Sequence, residues 1–456
     1  MAVAEVADIK RLGGYSGPDM PELELLRACV HCGMCLSSCP TYRLTGQEMS
    51  SPRGRIWMMN AVADDRLSLQ DDAFNEQMYQ CLNCRACEAV CPSGVQYGAI
   101  VEASRAQIEQ HVPRPLWQRA VRKVSLGWMF EDVSRLRGLI GTLRLYQRSG
   151  LDTLARRTGV LNVMGMAELE SMMPPISRKF LIPGTERWRP KTVERSARLF
   201  NGCMMGSVFA DTNRAAARVM AHNGTAVDVP VRQQCCGALH VHSGMFEEAR
   251  KVARQNIDAF EASGDDPIIV TAAGCGAALK EYPHLLKDDP DYAERARRFS
   301  ERVKDVTEYL AALDLKPPTH PVNRTVTYQE PCHLAHAQRI TEQPRKLLAA
   351  IPGLQLIEMK ESSLCCGSAG IYNIIRREMA NDLGDRKVMN AMATGAGEVV
   401  TANPGCAMQL RTSLLRNHGT MEVVHIADLL DEAYGGEGAA RDQAWAEDRS
   451  PTTMSS

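Results

Sequence analysis

Residues 29–40 read CVHCGMCLSSCP, and residues 81–92 read CLNCRACEAVCP. Both follow C-x2-C-x2-C-x3-C-P. This spacing wraps three close cysteines around one [4Fe–4S] cube and sends the fourth to a second cube. By that rule Cys29, Cys32, Cys35 and Cys91 ligate one cluster, while Cys81, Cys84, Cys87 and Cys39 ligate the other. Zinc ribbons also use C-x2-C, but as pairs of pairs, without a third C-x2 step followed by x3-C-P. Two such runs predict a helical two-cluster domain over residues 1–110.

Between the runs, SPRGR at 51–55 offers Arg53 and Arg55. They either pair with surface carboxylates at a helix start or set positive charge beside an anionic cluster. Their position between the runs favours the second role. His31, inside the first run, reads as tuning a cluster rather than ligating it.

The rest of the chain narrows the setting. Its 456 residues carry a formal charge of −1 and are 45% hydrophobic, which suggests two or three domains and no electrostatic footprint for nucleic acid. The start, MAVAEVADIKRLGGYSG, has no apolar signal-peptide core, and no apolar run is long enough to span a bilayer, so the expected compartment is the cytoplasm. Sixteen cysteines in that compartment point to metal or redox chemistry rather than disulfides. No P-loop, G-x-S-x-G elbow or G-x-G-x-x-G fingerprint occurs, so nothing here is built to bind flavin or nicotinamide.

The other eight cysteines form a repeat. Cys203 precedes Cys235-Cys236-Gly237 by 32 residues, and Cys275 follows Cys236 by 39; Cys332 precedes Cys365-Cys366-Gly367 by 33, and Cys406 follows Cys366 by 40. TAAGC at 271–275 is answered by TANPGC at 401–406. Each half alternates strand-like runs (ARLF, AVDVPV, DPIIV; TVTY, LQLIEM, EVVT) with helical stretches such as FEEARKVARQNIDAFEASG and REMANDLGDRKVMNAM. The expected fold is thus mixed α+β and α/β: a helical two-cluster domain, then two small α/β cysteine-rich units with parallel strands. The divisions are 1–110, a helical connector at 111–195, cysteine-rich units at 196–320 and 321–433, and a disordered tail at 434–456.

In this layout Cys203, Cys275, Cys332 and Cys406 fall at carboxyl ends of strands, with helices starting shortly afterwards. The sets Cys203, Cys235, Cys236, Cys275 and Cys332, Cys365, Cys366, Cys406 suit a further iron–sulfur cluster, a zinc site, a dithiol redox centre or merely buried thiols. His240, His242, His333 and His336 lie nearby; half-buried structural histidines are favoured over ligands. The segment from Arg114 to Arg148 mixes Arg and Lys with Trp117, Trp128 and Phe130 against only two acidic residues. It reads either as a helix covering the cluster domain or as peripheral contact with an anionic membrane surface or partner.

With these residues in place, the chain resembles the iron–sulfur subunit of bacterial glycolate oxidase (glycolate dehydrogenase) along nearly its whole length. The resemblance rests on CVHCGMCLSSCPTY, SPRGRI at 51–56, QCLNCRACEAVCPSGVQYG at 80–98, CCGALH and LCCGSAG. It implies a ferredoxin-type domain with two [4Fe–4S] clusters, no catalytic residue of its own, and a partner subunit that oxidises glycolate or a similar 2-hydroxy acid at FAD. Electrons would pass toward a quinone or another acceptor, in a cytoplasmic complex on the inner face of the membrane. Heterodisulfide reductases and anaerobic glycerol-3-phosphate dehydrogenase carry related repeats, in which the repeat itself can be a redox active site. Those repeats usually follow the last cysteine with another, as C-x2-C. Here Cys275 and Cys406 stand alone, which removes one thiol per half.

Overall fold

The computed structural model describes residues 11–436 except 168, 169, 171 and 172; of the expected tail, 437–456 lies outside the described residues. The chain forms two compact units: residues up to Gly127 together with Leu239–Glu248, and Trp128–Ala238 together with the chain from Ala249 onward. The first unit thus takes in part of the 111–195 stretch and a short piece of the repeat.

The first unit is helical apart from a hairpin of β1 (Arg11–Leu12) and β2 (Tyr15–Ser16). SPRGR is a helix start: Ser51 Oγ accepts from Gly54 N, and Pro52 opens the helix Pro52–Ala63. Asp71 caps Asp72–Gln80 in the same way. Ile56, Met59 and Val62 of the first helix meet Phe74 and Met78 of the second, and Ile100 and Val101 of Tyr97–His111 close the core. Each such buried side chain contributes roughly 1.5–3 kcal/mol. Residues 239–248 lie on the last helix, where Arg105 Nη1 donates to His242 O at 2.9 Å. Gly244 (φ +79°) comes so close that a Cβ would sit 2.4 Å from Arg105 O. The helix Leu116–Arg122 stays with this unit through Arg122, which bonds Glu109 and Ser243 O.

The second unit holds two sheets. One is ordered β3 (Arg187–Trp188), β5 (Thr225–Asp228), β4 (Arg195–Phe200), β6 (Ile268–Val270), β7 (Val303–Asp305). The other is ordered β11 (Glu422–His425), β10 (Glu398–Thr401), β8 (Thr325–Tyr328), β9 (Gln355–Leu356). Every pairing in them is parallel except β3 with β5. The expected pair of parallel α/β units is therefore present. From β4 the chain turns first to β5 on one side and then to β6 on the other; β8 does the same with β9 and β10. Such reversals open a crevice at the carboxyl ends of the strands. The helix Val133–Arg148 of the expected connector packs Val133, Leu136 and Ile140 against Phe200 and Val208 of the first half.

The two halves share one core, in which Leu199, Val227 and Met220 of the first are joined with Val326, Val400 and Leu430 of the second. Polar bonds also cross: Ala273 N donates to Ala402 O at 3.2 Å, and Arg218 pairs with Asp431. His425 is a pH-sensitive link between the halves. Its Nδ1 accepts from Ala427 N at 3.1 Å, so the proton sits on Nε2, which donates to Thr271 O at 3.0 Å. Burial lowers its pKa to about 4. A depressed histidine contributes stability above its unfolded pKa near 6.5 and loses it as pH falls toward 4, here up to about 3 kcal/mol. Thermal unfolding of the unaltered protein and of His425→Asn, compared from pH 7 to pH 4, should differ by this slope. The difference is what counts, because the buried Asp428, raised to about 7, adds a slope of opposite sign to both. No difference between them would remove His425 as a source.

Candidate metal centres

Two cavities in the first unit collect its eight cysteines. Cys29, Cys32, Cys35 and Cys91 line one, beside Arg53, Ile56 and Val95, together with Cys87, which lines both cavities. Cys39, Cys81, Cys84 and Cys87 line the other, beside Arg55, Thr41 and Tyr97. The short runs curl because matching positions turn left-handed: His31 and Asn83 (φ 54° and 52°), then Gly33 and Arg85 (φ 84° and 61°). Non-glycine residues in this region are strained, and such strain persists only where the surroundings hold it. The curl aims amides at sulfur, as Asn83 N does at Cys81 Sγ, 3.3 Å away. Cys39 is the residue before the helix Pro40–Thr45, with Sγ 3.3 Å from Thr41 Oγ1.

Without metal these thiols are uncomfortable. Burial and the neighbouring Cys84 and Cys81 push the Cys87 thiol up, and burial raises Cys29 and Cys35. Soft sulfur donors ringing a cavity, with guanidinium groups beside each, fit an anionic iron–sulfur cube. Among the described residues no group of three or more His, Cys, Asp or Glu side chains is arranged for a single metal ion.

Arg53 and Arg55 divide the two roles read for them. Arg53 lines the first cavity, pairs with the exposed Glu48 at 2.7 Å and donates to His31 O. Arg55 is buried at the second and ties Ser50 O, Thr41 Oγ1 and Gln77 O together. The sequence reading missed what lies beneath the second run. Glu102 accepts from Asn83 Nδ2 and meets Arg85 and His242 Nδ1, the last at 3.1 Å. Burial would raise its carboxyl, but Arg85, His242 and Arg105 hold it down to about 2. The available signal was the placing of two charges, Glu102 and Arg105, among Ile100, Val101, Ala103, Ala106 and Ile108.

In the second unit the repeat cysteines also gather half by half. Cys203 Sγ lies 3.8 Å from Cys235 Sγ, and Cys332 Sγ lies 4.0 Å from Cys365 Sγ. Cys236 reaches Cys275, and Cys366 reaches Cys406. Cys203 and Cys332 follow β4 and β8, at the reversals of strand order. Cys275 and Cys406 sit past the strand ends, already in the first turns of Ala273–Lys280 and Pro404–Arg416. There the helix amides favour negative charge. Gly367 (φ +89°) closes the Cys-Cys turn where a Cβ would meet Ala380 O at 2.5 Å.

The halves differ in charge. Cys235 and burial push the Cys203 thiol well up, and Cys236 is raised by its neighbours too. In the second half Cys332 and Cys366 are held well down, chiefly by Cys365, while their partners Cys365 and Cys406 are pushed well up. Of the four nearby histidines, His333 reaches a thiol, with Nδ1 3.6 Å from Cys332 Sγ. His240 and His336 bond the backbone oxygens of Leu126 and Ser363, and His242 belongs to the Glu102 network.

A helical unit with two cavities that share out eight thiols, followed by a duplicated parallel α/β unit with four thiols per half, defines an iron–sulfur protein of the dicluster, cysteine-rich-repeat class. A 4Fe-4S dicluster domain family matches residues 25–95, and a cysteine-rich domain family matches 197–280 and 326–411. A third match, to the linker region of the glycolate oxidase iron-sulfur subunit, covers 117–173. The chain is 42% identical to the probable glycolate oxidase iron-sulfur subunit of Bacillus subtilis, over 94% of this chain and 98% of that one. It is 34% identical to the glycolate oxidase iron-sulfur subunit of Escherichia coli, over 90% and 94%. A fumarate reductase (CoM/CoB) polypeptide from Methanothermobacter marburgensis is 29% identical over 92% of this chain and 74% of its own. The chain belongs to the family of glycolate oxidase iron–sulfur subunits.

Proposed function

We propose that this chain is the electron-transfer subunit of a flavin-dependent glycolate (2-hydroxy acid) dehydrogenase complex. In this reading it takes electrons from FAD on a partner subunit and delivers them toward a quinone or another acceptor. The observation that carries it is the exchange of cysteines between the runs: Cys39 lines the cavity of the second run, and Cys91 that of the first. When bound, a [4Fe–4S] cluster in each cavity supplies a one-electron carrier. The chain's own residues do the rest. Cys29, Cys32, Cys35 and Cys91 hold one group and Cys39, Cys81, Cys84 and Cys87 the other. Arg53 and Arg55 offset negative charge, and Ile56, Val95 and Tyr97 keep water out.

Substrate oxidation falls to the partner, because this sequence has no flavin- or nicotinamide-binding fingerprint. The reading also places the complex in the cytoplasm against the inner membrane face. Leu116 and Trp117 are 79% and 66% exposed among basic residues, and among the described residues no helix is long and apolar enough to cross a membrane. Protein purified without oxygen should contain about eight irons and eight acid-labile sulfides per chain, and more if the repeat adds a cluster. Zinc in place of iron would overturn the reading. A second reading makes the repeat itself a redox active site. The lowered Cys332 and Cys366 thiols favour it, and the single cysteines at 275 and 406 weigh against it.

A further inference from the structure

Lys387 is a charge out of place. It sits in the middle of the helix Arg377–Met392 and is 1% exposed, where lysine is almost never found unpaired. Its Nζ donates to Glu361 O at 2.6 Å and Ser362 O at 3.1 Å, while the Glu361 carboxylate turns to Arg386 instead. Those two carbonyls stand just before Cys365-Cys366 in the chain, so the ammonium is tied to the turn that carries the paired thiols. Burial pushes its pKa down, and the thiols of the second half oppose that.

The first half has the same scaffold without the charge. The helices Phe246–Glu261 and Arg377–Met392 are both 16 residues long. Lys387 is the eleventh residue of its helix and stands 19 before Cys406; Asn256 is the eleventh of its own and stands 19 before Cys275. Asn256 is fully buried, donating to Cys235 O at 2.9 Å and accepting from Gln234 N at 2.7 Å. The residue after the first cysteine also changes, from Met204 to His333. At matching places one half thus carries a buried amide bonded to Cys235 O, the other a buried ammonium and an imidazole 3.6 Å from Cys332 Sγ.

Four thiolates around a divalent ion or an oxidised [4Fe–4S] cube leave a net negative charge, and burying it unpaired is costly. We propose that Lys387 is the buried counter-charge of a metal group held by Cys332, Cys365, Cys366 and Cys406. The two halves are then unequal: the second carries metal, and the first keeps Cys203, Cys235, Cys236 and Cys275 as neutral thiols. The inference rests on the reading of the repeat as a metal site. The shared chemistry is thiolate binding. The four thiols are not already arranged around a single ion, so the iron and zinc arms of the test separate a cluster from an ion that must draw them together.

The test uses the full chain, reconstituted without oxygen either with ferrous iron and sulfide or with zinc alone, then challenged with a chelator. Metal is counted beyond the complement of the two ferredoxin-type cavities, and the iron and zinc arms show which group binds. The double change Cys365→Ser, Cys366→Ser should abolish this excess, and Cys203→Ser, Cys235→Ser should leave it. Lys387→Asn should weaken its retention about tenfold or more, as losses of outer partners do, and Lys387→Arg should restore much of it. No excess in the unaltered protein would defeat both the metal reading of the repeat and this inference. Excess lost with Cys203 and Cys235, or held by Lys387→Asn as tightly as before, would defeat the inference alone. If Lys387→Asn does not fold, Asn256→Lys in the Cys365→Ser, Cys366→Ser background decides: metal retained there supports the role of the charge, and none overturns it.

Discussion

Cys39→Ser is expected to remove the cluster held mainly by Cys81, Cys84 and Cys87 and to spare the one held by Cys29, Cys32 and Cys35, the three cysteines closest to it in sequence. The mirror change Cys91→Ser should do the reverse. The reason is where the fourth cysteine of each run goes. The backbone from Cys35 leads through Leu36 to Cys39, whose amide bonds Leu36 O at 3.2 Å, and then straight into the helix Pro40–Thr45. That helix turns Cys39 away from its own run and into the cavity with Cys81, Cys84 and Cys87. A serine there offers a harder, less readily ionised donor to iron. Each variant should lose about four irons and four sulfides per chain, with one of two reduced-state EPR signals gone. Loss of the same signal from both variants, or full iron in Cys39→Ser, would refute the exchanged arrangement. The nearby contacts of Cys39 Sγ, to Thr41 Oγ1 and Ser50 O, are weak enough for serine to keep, so a folding defect should not mask the result.

Much of this architecture was legible in the residues, and the reasons are local. The eight N-terminal cysteines announce themselves because a cluster demands close, regular spacing. The helix expected at REMANDLGDRKVMNAM is found as Arg377–Met392, since no proline interrupts it and the lone Gly384 is tolerated where it is buried. Short edge strands escaped notice. β3 has two residues and β7 three, too few for alternation to show, and β11 follows a turn that hides its start. The place of 239–248 in the first unit was equally hidden. Only Gly244 marks it, and its need for close approach to Arg105 is a long-range fact. The buried pairing of Glu102 with Arg85 and His242 depends on residues 17 and 140 positions away, beyond any window that periodicity can scan. The inequality of the two halves was written in single letters, Asn256 against Lys387. It becomes meaningful once the helices are superposed and both side chains are found buried.

Arg55→Met should be a strongly damaging single change in the first unit. Methionine fills much of the same space, so the effect isolates the polar head. Arg55 donates to Gln77 O and Ser50 O at 2.8 Å each, and to Thr41 Oγ1 and Gln80 Oε1 at 3.1 Å each. These acceptors come from three segments that converge behind the second cavity: the helix carrying Thr41, the turn at Ser50 and the end of Asp72–Gln80. Ser50 O keeps a second donor in Thr41 Oγ1 at 2.7 Å, but the buried Gln77 O loses the guanidinium outright. Leaving such acceptors short costs about 1–3 kcal/mol each, which puts the total near 3 kcal/mol or above. Lysine cannot replace the fork, because one ammonium does not span three segments. Arg53→Met, at the exposed pair with Glu48, should leave stability close to that of the unaltered protein. Denaturant unfolding of the two variants gives the comparison, and iron content gives the consequence. Arg55→Met should lose the cluster of the Cys39 cavity first, because Thr41 and Ser50, which Arg55 anchors, also touch Cys39 Sγ. Equal stability of Arg55→Met and Arg53→Met would show that the fork holds nothing the surrounding helices do not already hold.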